Sequence, residues 1–194
     1  MADNDQSINN ENLIERLDRH LDWIKSCDTK ASIVLAMLGI FLTLFASEQS
    51  INSLKEICTG IFTNINFANI LYFIMLVCSC SLFFYGGYCL VNVLIPRDKR
   101  ILSEAGLHQD SLYYFETIAN SSFLDFKRKI LNTENSAIKN ETNDIISQIY
   151  VNAKICTIKY QYLKKGILYS FSGITLAMLL YVIGIVLVQL GGFK

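Results

Sequence analysis

Arg16, Arg19, Trp23 and Lys30 fall within about 60° of one another when residues 11–31 are wound as a helix at about 100° per residue. Two guanidinium forks suit a phosphate and an indole face suits a base, so the stripe is a candidate site for an anionic, base-bearing ligand. It reads also as a solvated helical face, with Glu15, Asp18 and Asp22 as ion-pair partners. Tyr113-Tyr114-Phe115 is open in the same way: a stacking platform for a base, or the core of a loop helix. Lys154 lies on a later helix, in a basic collar with Lys159, Lys164 and Lys165 that suits lipid headgroups. Asp28 is the exception to the pattern. Its angle places a carboxylate beside Leu13, Leu17, Leu21, Ile24 and Ala31, where an unpaired charge costs several kcal/mol. Lys154, Lys159 or backbone donors are its expected partners.

No catalytic set accompanies these groups. His20 and His108 have no metal-ligand spacing with Cys or carboxylates, so no metal is expected. No glycine-rich phosphate loop and no G-x-S-x-G elbow is present, so neither an enzyme nor a cofactor is expected. Cys78 and Cys80, two positions apart on a helix, point in different directions. The six cysteines are expected to act as small apolar side chains.

The elements that must carry these residues follow from hydropathy. The 194 residues amount to about one domain, yet 52% are hydrophobic and three uncharged runs hold the excess: 31–47, 67–96 and 166–193. A helix crosses a hydrocarbon core with about 20 residues, so the second and third runs suffice and the first is marginal unless Lys30 or Glu48 reaches to the interface. The chain therefore reads as an all-α integral membrane protein. Its expected parts are an N-terminal helix (1–30), a first span (31–48), a short external loop (49–66) with room for a helical turn or two, a second span (67–96), a helical region (97–165) and a third span (166–193). Residues 1–30 carry four Lys or Arg and residues 97–165 carry eleven of the seventeen in all, which makes that side cytoplasmic. Zero net charge gives no general attraction to nucleic acid.

Leu13, Leu17, Leu21 and Ile24 form the expected apolar face of the first long helix. Short helices are expected around 110–120 and 121–132, then a polar loop over 132–144. From about Asn143 a helix of about 50 residues, with no proline, runs into the third span. Two inward-reaching helices and the 97–140 segment would then make a cytoplasmic bundle.

Three stretches in order resemble one family. "LDWIKSCDTKASIVLAMLGIFL", with Asp28, Lys30 and Ala31 in a D-x-K-A pattern ahead of an apolar span, is similar to the membrane-boundary segment of the Pycsar transmembrane effectors. "LYYFETIAN" (112–120) and "QIYVNAKICTIKYQYLKKGILY" (148–169) resemble that family's two other marks. Cys27 stands where small residues such as Ala are commoner, and the 48–66 loop matches no mark. The resemblance implies antiphage defence: a partner cyclase makes cyclic UMP or cyclic CMP on infection, and the effector impairs the inner membrane and causes abortive infection. Such a ligand needs one or two cations, an aromatic face and groups for the base edge. Arg16, Arg19 and Trp23, with Tyr113, Tyr114 and Lys154, are the expected set. Asp28, Lys30 and Lys159 are the expected joint that binding would repack. A homo-oligomer is expected, because three spans cannot enclose a pore alone. The rival reading is a membrane effector or scaffold gated by protein contact. A transporter is disfavoured, since its spans should carry charges at midplane.

Overall fold

One proline, Pro96, in 194 residues leaves little to break a helix. A computed structural model describes residues 2–63, 65–96, 112, 115–131 and 135–191, of which 2–10, 115–117, 129, 131 and 135–141 are described by backbone alone. The described residues are α-helical and contain no strand: α1 (Ala2–Phe45), α2 (Glu48–Thr63), α3 (Phe67–Leu94), α4 (Phe115–Asn120), α5 (Phe123–Leu131) and α6 (Asn135–Leu190).

Helix α1 runs from Ala2, and two elements depart from expectation: α2 is a 16-residue helix rather than a turn or two, and α6 begins at Asn135 inside the expected polar loop. Asn, Ser, Thr, Glu and Lys each lower helix propensity by no more than about 0.7 kcal/mol relative to Ala. Polar composition without Pro or Gly therefore does not end a helix. Helix α3 ends at Leu94, and Ile95 turns extended ahead of Pro96.

Helices α1, α3 and α6 each hold a window long and apolar enough to span a membrane, of mean hydropathy 1.6, 2.1 and 2.5, and little of each window is buried inside the protein. Their outer faces expose Ile33, Met37, Ile40 and Leu44 on α1, Ile70, Ile74 and Phe84 on α3, and Phe171, Leu179 and Val182 on α6. A soluble protein does not leave apolar faces of this extent open. The protein is a three-span membrane protein.

The chain divides into two compact units, Met1–Cys27 with Pro96–Lys159, and Asp28–Ile95 with Tyr160–Lys194. Both α1 and α6 pass from one unit into the other without a break. Among the covered positions of α1, Leu13, Leu17, His20, Ile24, Cys27, Ala31, Val34, Leu38, Phe41 and Phe45 recur in alternating steps of four and three. That is a heptad seam. His20 holds the position where the first apolar face was expected to place Leu21, which is 47% exposed. A straight helix rotates past the i, i+4, i+8 row, and the 3.5-residue repeat of a supercoil brings i+7 back instead.

Within the second unit, α3 runs antiparallel to α6. Heptad positions of α3 (Asn69, Tyr72, Leu76, Ser79, Phe83, Gly86, Leu90, Val93) face Gly184, Leu180, Gly173, Ser170 and Gly166. Lipid offers apolar groups the same surroundings as a neighbouring helix, so close backbone contact rather than hydrophobic burial favours association here. Gly86 lies against the backbone of Ser170, and Gly173 against the backbone of Phe83 and Ser79. Tyr72 donates its hydroxyl hydrogen bond to the Leu180 carbonyl. Helix α1 joins through Phe41 on Phe83 (6.3 Å between ring centroids) and Phe45 on Tyr181 (5.6 Å). Helix α2 closes one end by burying Ile57 and Ile61 against Tyr72, Phe73, Tyr181 and Ile185.

Candidate functional site

Arg16, Arg19 and Trp23 sit on α1 in the first unit, three and four positions apart and all exposed. Arg19 reaches back one turn to Glu15, Nη2 to Oε1, at 2.6 Å, with both side chains about 60% exposed. A pair so open contributes about 0.3–0.5 kcal/mol, so little holds Arg19 against an incoming phosphate. The Trp23 indole meets the His20 ring edge-on, at 5.0 Å and 89°, and remains 55% exposed. More than half of its surface is open to solvent. Lys154, on α6 in the same unit, is half-buried with its ammonium 4.9 Å from the Tyr150 ring centroid.

The structure thus brings Arg16, Arg19 and Trp23 onto one stripe. No hydrogen bond or ion pair among the described residues links that stripe to Lys154. Tyr113 and Tyr114 lie outside the described residues. Of the expected joint, Asp28 is half-buried, Lys30 exposed and Lys159 5% exposed. Asp28 and Lys159 each have an interaction partner, as a half-buried carboxylate and a buried ammonium require. Asp28 lies one position off the seam, which Cys27 occupies, rather than among the leucines.

Two polar groups in the first unit carry information that sequence reasoning did not single out. One carboxylate oxygen of Asp144, Oδ2, accepts the Leu112 backbone N–H at 2.7 Å, while Oδ1 is buried with no partner among the described residues. His20 Nδ1, beside Trp23, is likewise buried without a described partner. Buried polar atoms are hydrogen-bonded in the great majority of cases, so each calls for a water or a ligand group. For His20 the signal was its place in the four-and-three spacing; for Asp144 no sequence signal marks it.

A cavity of about 160 Å³ lies in the second unit, lined by Phe41, Phe45, Leu76, Phe83, Ile174 and Tyr181 among others. Its apolar walls cannot hold an anion, whose transfer there would cost many kcal/mol. Arg16, Arg19, Trp23 and Lys154 lie in the first unit, whereas Lys30 of the same stripe lies in the second.

Comparison with known proteins identifies a family. Residues 12–188 match the Pycsar effector protein domain. The chain is 31% identical over 172 residues to the Pycsar effector protein GmPycTM of Gulbenkiania mobilis, covering 81% of this chain and 83% of that protein. No solved structure matches the chain. The matched segment takes in all three spans and both units, and the chain belongs to the Pycsar effector family, which ties it to antiphage defence by cyclic pyrimidine signalling.

Proposed function

We propose that this protein senses cyclic UMP or cyclic CMP, made by a partner cyclase, in its first unit and then impairs the inner membrane that holds it. The observation that carries the reading is the family match over residues 12–188, which spans both the polar unit and the membrane unit. The positive-inside bias puts the first unit and the N-terminus in the cytoplasm, where such a nucleotide is made. Arg16 and Arg19 take the phosphate and Trp23 stacks on the base, with Tyr113, Tyr114 and Lys154 closing round it. His20 Nδ1 and Asp144 Oδ1, the two buried polar atoms without described partners, are available to the base edge and ribose. No bond is made or broken, so the protein acts as a switch and not an enzyme.

The response must come from different affinities for two arrangements of the helices. Asp28 and Lys30 on α1 and Lys159 on α6 stand where the two long helices cross from one unit into the other. Repacking this joint changes how the spans associate, in one protomer and across a homo-oligomer.

Thermal stability of the detergent-purified protein against cyclic UMP, cyclic CMP, cyclic AMP, cyclic GMP and a cyclic dinucleotide tests this. Ligand at a hundred times Kd stabilises by about 2.7 kcal/mol, which for a chain of this size is about 5–10 °C. A shift with one pyrimidine cyclic nucleotide alone, lost in Arg19→Ala, supports the site. No shift with any nucleotide refutes it and favours gating by protein contact.

A further inference from the structure

Helix α5, Phe123–Leu131, belongs to the polar unit, yet three of its apolar side chains face outward while Phe126 is half-buried: Phe123 is 75% exposed, Leu124 71% and Ile130 55%. At about 100° per residue, Phe123 and Ile130 share one side and Leu124 lies a quarter-turn away. Lys127 falls between them and Arg128 just beyond Leu124, and both are exposed. The opposite side holds Asp125. The sequence FLDFKRKIL carries three basic residues against one acid.

The helix is fixed locally. Ser122 Oγ accepts the Asp125 backbone N–H at 3.1 Å and donates to Asp125 Oδ2 at 2.6 Å, an N-terminal cap that requires nothing from the rest of the fold. Arg128 contacts Asp125 at 3.3 Å through a pair more than half exposed, which leaves its charge open to solvent. A capped helix that exposes apolar side chains interspersed with and flanked by cations suits a lipid interface, where a long lysine can reach to the headgroups.

We propose that α5 docks on an anionic lipid surface, with Phe123, Leu124 and Ile130 among the acyl-chain ends and Lys127 and Arg128 at the phosphates. Charge complementarity selects this occupant: an acidic protein groove would take the cations, but three spans already fix the chain to a bilayer, which keeps lipid at high local concentration. Nothing in the proposal depends on nucleotide binding. It gives the polar unit a second hold on the membrane, through a helix that is none of the three membrane-crossing ones.

The test uses the full chain in nanodiscs. Phe123→Trp places a reporter at the most exposed apolar position, read against the single natural Trp23 as background. Expected in discs of phosphatidylcholine with phosphatidylglycerol is a blue-shifted emission quenched by brominated acyl chains. In phosphatidylcholine alone, both effects weaken. Lys127→Gln with Arg128→Gln lowers the docked-to-free ratio by about fivefold per charge removed. Iodide-accessible, unquenched emission in both kinds of disc overturns the proposal. A blue shift without bromine quenching overturns it too, because the face is then covered by protein; dependence on the number of protomers per disc identifies a second copy.

Discussion

The α3–α6 contact predicts a graded response to adding one methyl group. A Cβ at Gly173 would stand 2.6 Å from the Phe83 backbone nitrogen and 2.9 Å from both Phe83 Cα and the Ser79 carbonyl oxygen. All three are backbone atoms of α3, so no side chain can rotate away and the helices must separate. Overpacking of this kind costs about 1–3 kcal/mol, with rigid backbone at the upper end. Replacing Gly by Ala in a helix returns up to about 1 kcal/mol, so Gly173→Ala should destabilise by a net of about 1–2 kcal/mol. Gly87 lies one position from Gly86 on the same helix and has nothing within 4 Å of its would-be Cβ. Gly87→Ala should be neutral or stabilising by up to about 1 kcal/mol. Gly184→Ala falls between, because its Cβ meets only side-chain atoms, the Tyr72 hydroxyl at 2.5 Å and the Ile57 Cδ1 tip at 2.7 Å, although the Tyr72 hydrogen bond to Leu180 must shift. With about 2–4 °C per kcal/mol for a chain of this length and a difference of about 1–3 kcal/mol, Gly173→Ala should melt about 2–12 °C below Gly87→Ala. The assay is thermal unfolding of the two full-length variants in one detergent, followed by circular dichroism. Equal melting temperatures, or the reverse order, would refute backbone-to-backbone packing as what holds these two spans together.

Tyr72→Phe removes the hydrogen bond to the Leu180 carbonyl and should lower stability by about 0.6 kcal/mol, the average for such bonds in membranes, measured in the same melts. Ser122→Ala deletes the cap of α5 at about 1 kcal/mol, which amide exchange reads as roughly fivefold faster exchange in the first turn of that helix. Trp23→Ala should leave the melting temperature nearly unchanged, as expected of an exposed side chain, while a lost stacking contact of about 1–3 kcal/mol weakens nucleotide binding at least fivefold by calorimetry. Asp28→Ala should retain nucleotide binding but lose dye leakage from nucleotide-treated liposomes; unchanged leakage would make that residue structural filling.

Span positions were legible because the bilayer imposes a length and a composition on any helix that crosses it, and Phe67–Leu94 sits inside the uncharged run that marks it. Helix α2 was not legible as such. Its Ile51, Leu54, Ile57, Ile61 row is short, and only contact with Tyr72 and Tyr181 decides that Ile57 and Ile61 face inward. The exchange of Leu21 for His20 has a similar origin. Side-chain chemistry favours leucine on a buried row, but the supercoil sets the row, and it admits an imidazole that then packs edge-on against Trp23. The stripe of Arg16, Arg19 and Trp23 could be read from one helix because it lies on one helix. Whether Lys154 closes on it depends on a neighbour's rotation, which no single stretch of sequence encodes. Asp144 illustrates the limit: its unused oxygen is visible only when the Leu112 amide is placed beside it.

The unbroken course of α1 and α6 between the units has a consequence for phase. Covered positions recur every seven residues from Leu17 through Ala31 to Leu38 on α1, and from Leu163 through Ser170 and Ala177 to Gly184 on α6. A rod of this kind cannot absorb an inserted residue at the boundary as a loop would. One extra residue turns everything beyond it by about 100°, and four leave it about 40° out, whereas seven restore the angle to within about 20°. Along each rod the covered row is thus set by angle more than by distance. Evolution can lengthen this joint in steps of a heptad, but single-residue changes of length there are closed to it.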